Sequence, residues 1–300
     1  MPSTCEIIVP IDKSQATLKV AGLTVLMRLV LGACQAGFQQ ITISASNADS
    51  IVDGLRKDKR TQGVTITSDT PDIGVPRLVV EANVVISNEV WKILAQAKEN
   101  LNVSSAPLLR VEGYAGDTTQ ESRLVASAYV IPVRSRTDAA VAKQTIFANV
   151  TKKTSGPVSR HLNSLISLPL SKFLCEFGVT PNQMTLFTTI IGLLSAWFVS
   201  RGTFIALALA GLLFQLCAAL DRVDGELARS TFTASEWGAW IDTVADNFVY
   251  LAFIVGLTVG YHEYTGSRGL LVADYVYPVG SITLILAVFL IASMGIYLKL

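Results

Sequence analysis

The chain has 300 residues, 51% of them hydrophobic and 16% charged, against a charged share of about 25% in soluble domains, so part of it belongs in lipid. With 24 basic and 23 acidic residues the formal net charge is +1, which provides no bulk attraction and makes nucleic acid an unexpected partner. Cys5, Cys34, Cys175 and Cys217 are scattered without a CxxC pair, and His161 and His262 are the only histidines, so neither a zinc site nor a disulfide framework is expected.

The chain opens Met-Pro-Ser-Thr-Cys-Glu, without a basic region followed by an apolar core and cleavage site, which argues against a secretory signal and for a cytoplasmic N-terminus. Residues 1–140 then alternate short β-branched runs with helical patterns. Strands are predicted at Glu6–Pro10, Ile41–Ala45, Val64–Thr67, Leu78–Ile86, Leu108–Val111 and Leu124–Val133, and helices at Leu23–Gly37, Ala48–Lys59 and Glu89–Glu99. The expected fold is a soluble α/β domain with a mostly parallel, Rossmann-like sheet.

Residues 141–180 read as a linker followed by an interfacial amphipathic helix. The polar, basic stretch that leads into it starts after Val133 and includes Arg134, Arg136, Lys143, Lys152, Lys153 and Arg160. In the helix, His161–Phe177, Leu162, Leu165, Ile166, Leu170, Phe173 and Leu174 fall near helical spacing, a pattern that a soluble core helix would also show.

Residues 181–300 read as an all-α polytopic transmembrane bundle. Asn182–Ser200, Thr203–Leu220 and Tyr275–Leu298 are free of charge and near the ~20 residues that span a bilayer. Trp237–Tyr261 has spanning length but carries Asp242 and Asp246 in its first turns, and carboxylates at a membrane entrance point to function. Lys152, Lys153, Arg160, Lys172, Arg222, Arg229 and Lys299 fall on one side, with Arg201 and Arg268 on the other, so the acidic end is expected in the cytoplasm.

Asp221 and Asp224 end the second span, and Asp242 and Asp246 begin the third. Separations of three and four place each pair on one helix face. A hairpin across Ser230–Glu236 would bring all four together, and four such charges require compensation by cations. Oxygen ligands select Mg²⁺ or Mn²⁺, and a two-ion clamp suits displacement at phosphorus. Gly225, Ala228 and Gly238 leave room for a bulky group such as a nucleotide, beside which Arg229 could grip phosphate. Helix packing through small residues, with Arg229 reaching to the interface, would use the same residues. A cation or proton transporter would account for the acids alone, and a mere anchor for a working soluble half would need none of them. The joint pattern Asp-x2-Asp-Gly-x2-Ala-Arg-x8-Gly-x3-Asp-x3-Asp favours the metal site.

At every fixed position from Asp221 to Asp246 the sequence resembles the CDP-alcohol phosphotransferase (CDP-alcohol phosphatidyltransferase) family. Pro157–Thr185 extends the likeness, through Ser159-Arg160, Ser167-Leu168-Pro169 and Thr180-Pro181-Asn182-Gln183-Met184-Thr185, so that about half the chain is covered. The resemblance implies transfer of a substituted phosphate from a CDP-activated donor, CDP-diacylglycerol in a membrane setting, to an acceptor alcohol with release of CMP. It implies Asp221, Asp224 and Asp242 as metal ligands and Asp246 as general base that also touches a metal. Gly225, Ala228, Arg229 and Gly238 would line the CDP pocket, with Asn182 and Thr185 at its rim. A homodimer is the expected assembly. The family's six spanning helices, against four here, imply a C-terminally truncated domain.

The N-terminal half more faintly resembles nucleotidyltransferase domains fused to some members, through Gly22-Leu23-Thr24-Val25-Leu26, Ala36-Gly37-Phe38 and Ile41-Thr42-Ile43. No glycine lies between Val9 and Gly22, so a triphosphate-wrapping loop is missing. A degenerate or regulatory domain is therefore expected over the active cytidylyltransferase of a bifunctional enzyme.

Overall fold

The computed structural model describes residues 4–10, 13–69, 76–98, 101–102, 109–112, 120–121, 128–150, 163–268 and 273–297. Two units divide the chain: Met1–Thr151 with Ser230–Phe232, and Lys152–Arg229 with Thr233–Leu300. Glu99, Leu108, Leu124–Ser127, residues 151–162 and Leu298–Leu300, on which parts of the predicted elements and basic residues fall, lie outside the described residues.

The first unit runs β1 (Thr4–Ile8), α1 (Lys13–Thr17), β2 (Lys19–Val20), β3 (Leu23–Thr24), α2 (Val25–Ala36), β4 (Gln40–Ser44), α3 (Ala48–Arg56), β5 (Thr65–Thr67), β6 (Arg77–Glu81), β7 (Val84–Ile86) and α4 (Asn88–Ala95). It continues with β8 (Leu101–Asn102), β9 (Leu109–Glu112), β10 (Gln120–Glu121), β11 (Val130–Pro132) and α5 (Arg136–Val150). The main sheet has the order β10-β8-β9-β6-β1-β4-β5. Its β6-β1-β4-β5 side is parallel, whereas β9 runs antiparallel to both β6 and β8, so the sheet is mixed. Leu78, Val79 and Val80 are consecutive and all buried, as expected of a strand covered on both faces. Thr24 caps α2 by accepting from the Met27 N–H, and Gly37 at φ 93° ends it.

Two sequence expectations change. The single strand predicted over Leu78–Ile86 breaks at Ala82–Asn83, where the Asn83 side chain donates to Glu81, and β7 leaves to pair antiparallel with β11. The stretch read as linker after Val133 holds a helix, α5. Its start is capped by Asp138, which accepts from the Arg134 and Ser135 N–H groups. Ala139, Ala142, Ile146 and Phe147 are buried at helical spacing, so packing outweighs the polar composition.

The second unit holds α6 (Ser164–Leu174), α7 (Pro181–Val199), α8 (Phe204–Ser230, all but its last residue), α9 (Glu236–Gly266) and α10 (Ala273–Tyr297). Among the described residues α7, α8 and α9 are long and apolar enough to span a bilayer, which makes the chain an integral membrane protein; the fourth predicted span is α10, apolar over Tyr275–Phe289. Thr180 and Gln183 form a capping box at the start of α7, with Pro181 in its first turn. α8 does not stop where its uncharged run ends at Leu220 but continues as helix to Ser230. Gly256 and Gly260 let α9 press on α7, since a Cβ on either would stand 2.3 Å from the Ala196 carbonyl oxygen or 2.0 Å from that of Val199.

Candidate active site

The continuation of α8 past Leu220 carries Asp221 and Asp224 on helical backbone, and the first turns of α9 carry Asp242 and Asp246. Ser235 starts α9 by accepting from the Gly238 N–H. Asp221, Asp242 and Asp246 each offer a carboxylate oxygen, and the three atoms lie within 4.8 Å of one another. Asp224, 6% exposed, accepts from Thr185 Oγ1 at 2.8 Å and from the Gly225 N–H. Its carboxyl also meets that of Asp242, as the carboxyl of Asp221 meets that of Asp246. The four acids predicted as metal ligands are therefore brought together.

Carboxylates in hydrogen-bonding contact repel unless a proton or a cation lies between them. Opposite oxygens around an octahedral Mg²⁺ stand about 4 Å apart, so three oxygens within 4.8 Å of one another need draw in by no more than about 0.8 Å to share one small cation. An all-oxygen, half-buried donor set fits a hard divalent ion rather than zinc.

Beside the acids a cleft of about 160 Å³ opens between α7, α8 and α9. α7 contributes Pro181, Asn182 and Thr185, and α8 contributes Asp224, Gly225, Ala228 and Arg229. The connection and α9 add Thr233, Ala234, Ser235, Gly238, Ala239 and Asp242. All six residues predicted to line a nucleotide pocket thus meet in one cleft. Asp242 belongs both to the cleft and to the carboxylate triad, while Asp221 and Asp246 lie outside the lining.

Two small residues shape this cleft. A Cβ at Gly225 would stand 3.2 and 3.4 Å from the two terminal nitrogens of Arg229, so the guanidinium lies against bare backbone. A Cβ at Gly238 would stand 3.0 Å from Ser235 Oγ and 3.9 Å from Asn182 Oδ1. Sequence reasoning missed Pro181, Thr233, Ala234, Ser235 and Ala239. Of these, Pro181 stood inside the quoted Thr180–Thr185 segment without being given a place in the pocket, and Ser235 carried a local signal, a serine three residues before Gly238 at a helix start.

Residues 178–298 match the family model described as CDP-alcohol phosphatidyltransferase. The chain is 44% identical over 107 residues to a bifunctional IPC transferase and DIPP synthase of Thermococcus kodakarensis, an alignment covering 35% of this chain and 24% of that protein. A protein of the same name from Archaeoglobus fulgidus is 35% identical over 116 residues, covering 39% of this chain and 23% of the relative. An archaetidylinositol phosphate synthase of Pyrococcus horikoshii is 33% identical over 91 residues, covering 30% of this chain and 47% of the relative. The chain thus spans about a quarter of the first two relatives and under half of the third.

Proposed function

From the CDP-alcohol phosphatidyltransferase domain that the chain carries over residues 178–298, we propose that this protein transfers a substituted phosphate from a CDP-alcohol to an acceptor hydroxyl and releases CMP, in phospholipid or phosphodiester synthesis. The observation that carries the reading is the convergence of Asp221, Asp224, Asp242 and Asp246 beside a cleft lined by Asn182, Thr185, Gly225, Ala228, Arg229 and Gly238. Neither ion transport nor membrane anchoring calls for those six neighbours.

Asp221, Asp224, Asp242 and Asp246 would hold one or two Mg²⁺ or Mn²⁺ ions. Such ions neutralise a diphosphate and ease departure of CMP. Arg229 grips a donor phosphate through its planar fork, and Gly225, Ala228 and Gly238 leave space for the nucleotide, with Asn182 and Thr185 at its rim. Asp246 takes the proton of the acceptor hydroxyl. The acceptor oxygen bonds to the phosphorus that bears the alcohol, the bond from that phosphorus to the bridging oxygen breaks, and its electron pair leaves with CMP.

The spanning helices favour a lipid donor such as CDP-diacylglycerol, and the name of the archaetidylinositol phosphate synthase favours an acceptor of the inositol phosphate class. The basic residues favour a cytoplasmic site and N-terminal domain, and the family a homodimer. The first unit is read as a degenerate nucleotidyltransferase-like domain, on the missing glycine loop.

The test incubates membranes containing the protein with CDP-diacylglycerol, Mg²⁺ and a panel of inositol phosphate, glycerol phosphate and serine, with products read by mass spectrometry. CMP release that needs both metal and acceptor is expected, and Asp246→Asn should abolish turnover while CMP still binds. Absence of CMP release with every pair, or full turnover by Asp246→Asn, refutes the assignment.

A further inference from the structure

Glu226 lies in the same run as the site acids, yet it plays no part in the cleft. Two residues beyond Asp224, it is turned about 200° around α8 and points to the opposite side. It is 1% exposed. There it accepts from two serines of α6: Ser167 Oγ donates to Oε1 at 3.0 Å and Ser171 Oγ to Oε2 at 2.7 Å. Arg222 Nε approaches Oε1 at 4.0 Å, one turn back on α8.

The two serines belong to a longer polar seam. Asn163, Ser167 and Ser171 recur every four residues and are 9%, 0% and 0% exposed. Asn163 donates to the Ala218 carbonyl at 3.3 Å and accepts from Gln215 Nε2 at 3.0 Å. Leu165, Phe173 and Phe177 of the same segment are 72%, 57% and 68% exposed. α6 thus turns apolar side chains outward and a polar stripe toward α8, the reverse of a helix packed by hydrophobic burial.

Burying a carboxylate is costly unless donors reach it, and apolar packing could hold two helices together without that cost. What two directed hydrogen bonds add is register. Apolar helix faces in lipid slide and rotate with little resistance, whereas a carboxylate held at both oxygens does not.

We propose that Glu226 is a positioning residue. Gripped by Ser167 and Ser171, it fixes the rotation and axial register of α8, and so sets where Asp221, Asp224 and Arg229 stand. The kinetic consequence rests on the transferase reading; the latch itself does not.

Cys175 supplies a reporter independent of activity. It follows α6 directly and is 2% exposed. The full-length protein in membranes is treated with a maleimide, and labelling of the Cys175 peptide is read by mass spectrometry. Glu226→Ala, and separately the double variant Ser167→Ala/Ser171→Ala, should raise the Cys175 labelling rate about tenfold or more as α6 comes free. Both should lower kcat about 100-fold with a much smaller change in donor KM, since the acids are misplaced rather than removed. Glu226→Gln, which can accept from one serine and donate to the other, should stay close to wild type in both readouts.

Protected Cys175 in both the Glu226→Ala and the double-serine variants would overturn the latch. So would a Glu226→Gln protein as impaired as Glu226→Ala. If the unsubstituted protein releases no CMP, the transferase reading fails, while the Cys175 pattern still decides the latch.

Discussion

Thr185 on α7 donates its hydroxyl to Asp224 on α8 at 2.8 Å, in a buried contact between residues 39 apart in sequence. The bond orients one carboxylate of the site from a neighbouring helix.

Thr185→Val keeps the shape and removes the donor, leaving a buried carboxylate short of a partner. A loss of ~1–3 kcal/mol follows for such a group, or roughly 5- to 150-fold in kcat/KM for CMP release. Thr185→Ser should recover most of it. Wild-type rates in the valine variant would show that the bond does not matter to turnover.

Gly225→Ala places a methyl 3.2 Å from Arg229 Nη1 and pushes the guanidinium off the backbone. The Kd for CMP in Mg²⁺, measured by calorimetry, should rise about tenfold, the worth of one charge-assisted hydrogen bond. Arg229→Lys, which keeps charge but loses the fork, should weaken binding to a similar degree.

Gly260→Ala puts a Cβ 2.0 Å from the Val199 carbonyl oxygen, and backbone cannot swing aside as a side chain can. α9 must then part from α7, at about 1–3 kcal/mol for overpacking. A lower Tm in detergent is the expected outcome. Gly211→Ala, where nothing stands within 4 Å, serves as the contrast and should hold or raise Tm because alanine is the better helix former.

In the first unit, Cys5 is fully buried, and burial pushes its thiol far above the ordinary range. In the unfolded chain the thiol ionises near pH 8.5, so above about pH 9 the unfolded state binds fewer protons than the folded one and stability falls with rising pH. The Cys5 alkylation rate, normalised to a free thiol, should stay flat below pH 8 and climb above pH 9. A flat normalised rate through pH 10.5 would count against burial of this thiol in the native state.

Much of the membrane half was legible in the sequence because its signals are local. Uncharged runs give the spans, and spacings of three and four put Asp221 with Asp224 and Asp242 with Asp246 on their helix faces, whatever the rest of the chain does. The hairpin across residues 230–236 then leaves little choice but convergence. The first unit was less legible: α5 was hidden because its buried alanines and Phe147 are few among polar residues, and β6 and β7 ran together because the break at Ala82–Asn83 is only two residues long.

What only the tertiary structure decided is how each helix is rotated against the next. Thr185 reaches Asp224, Arg229 folds over Gly225 and Glu226 turns from the cleft to Ser167 and Ser171, although Glu226 stands among the acids of the motif. Helical period sets which residues share a face, but which neighbour that face meets depends on contacts tens of residues away. One face of α8 therefore met the cleft and the other met α6, a division that spacing alone does not encode.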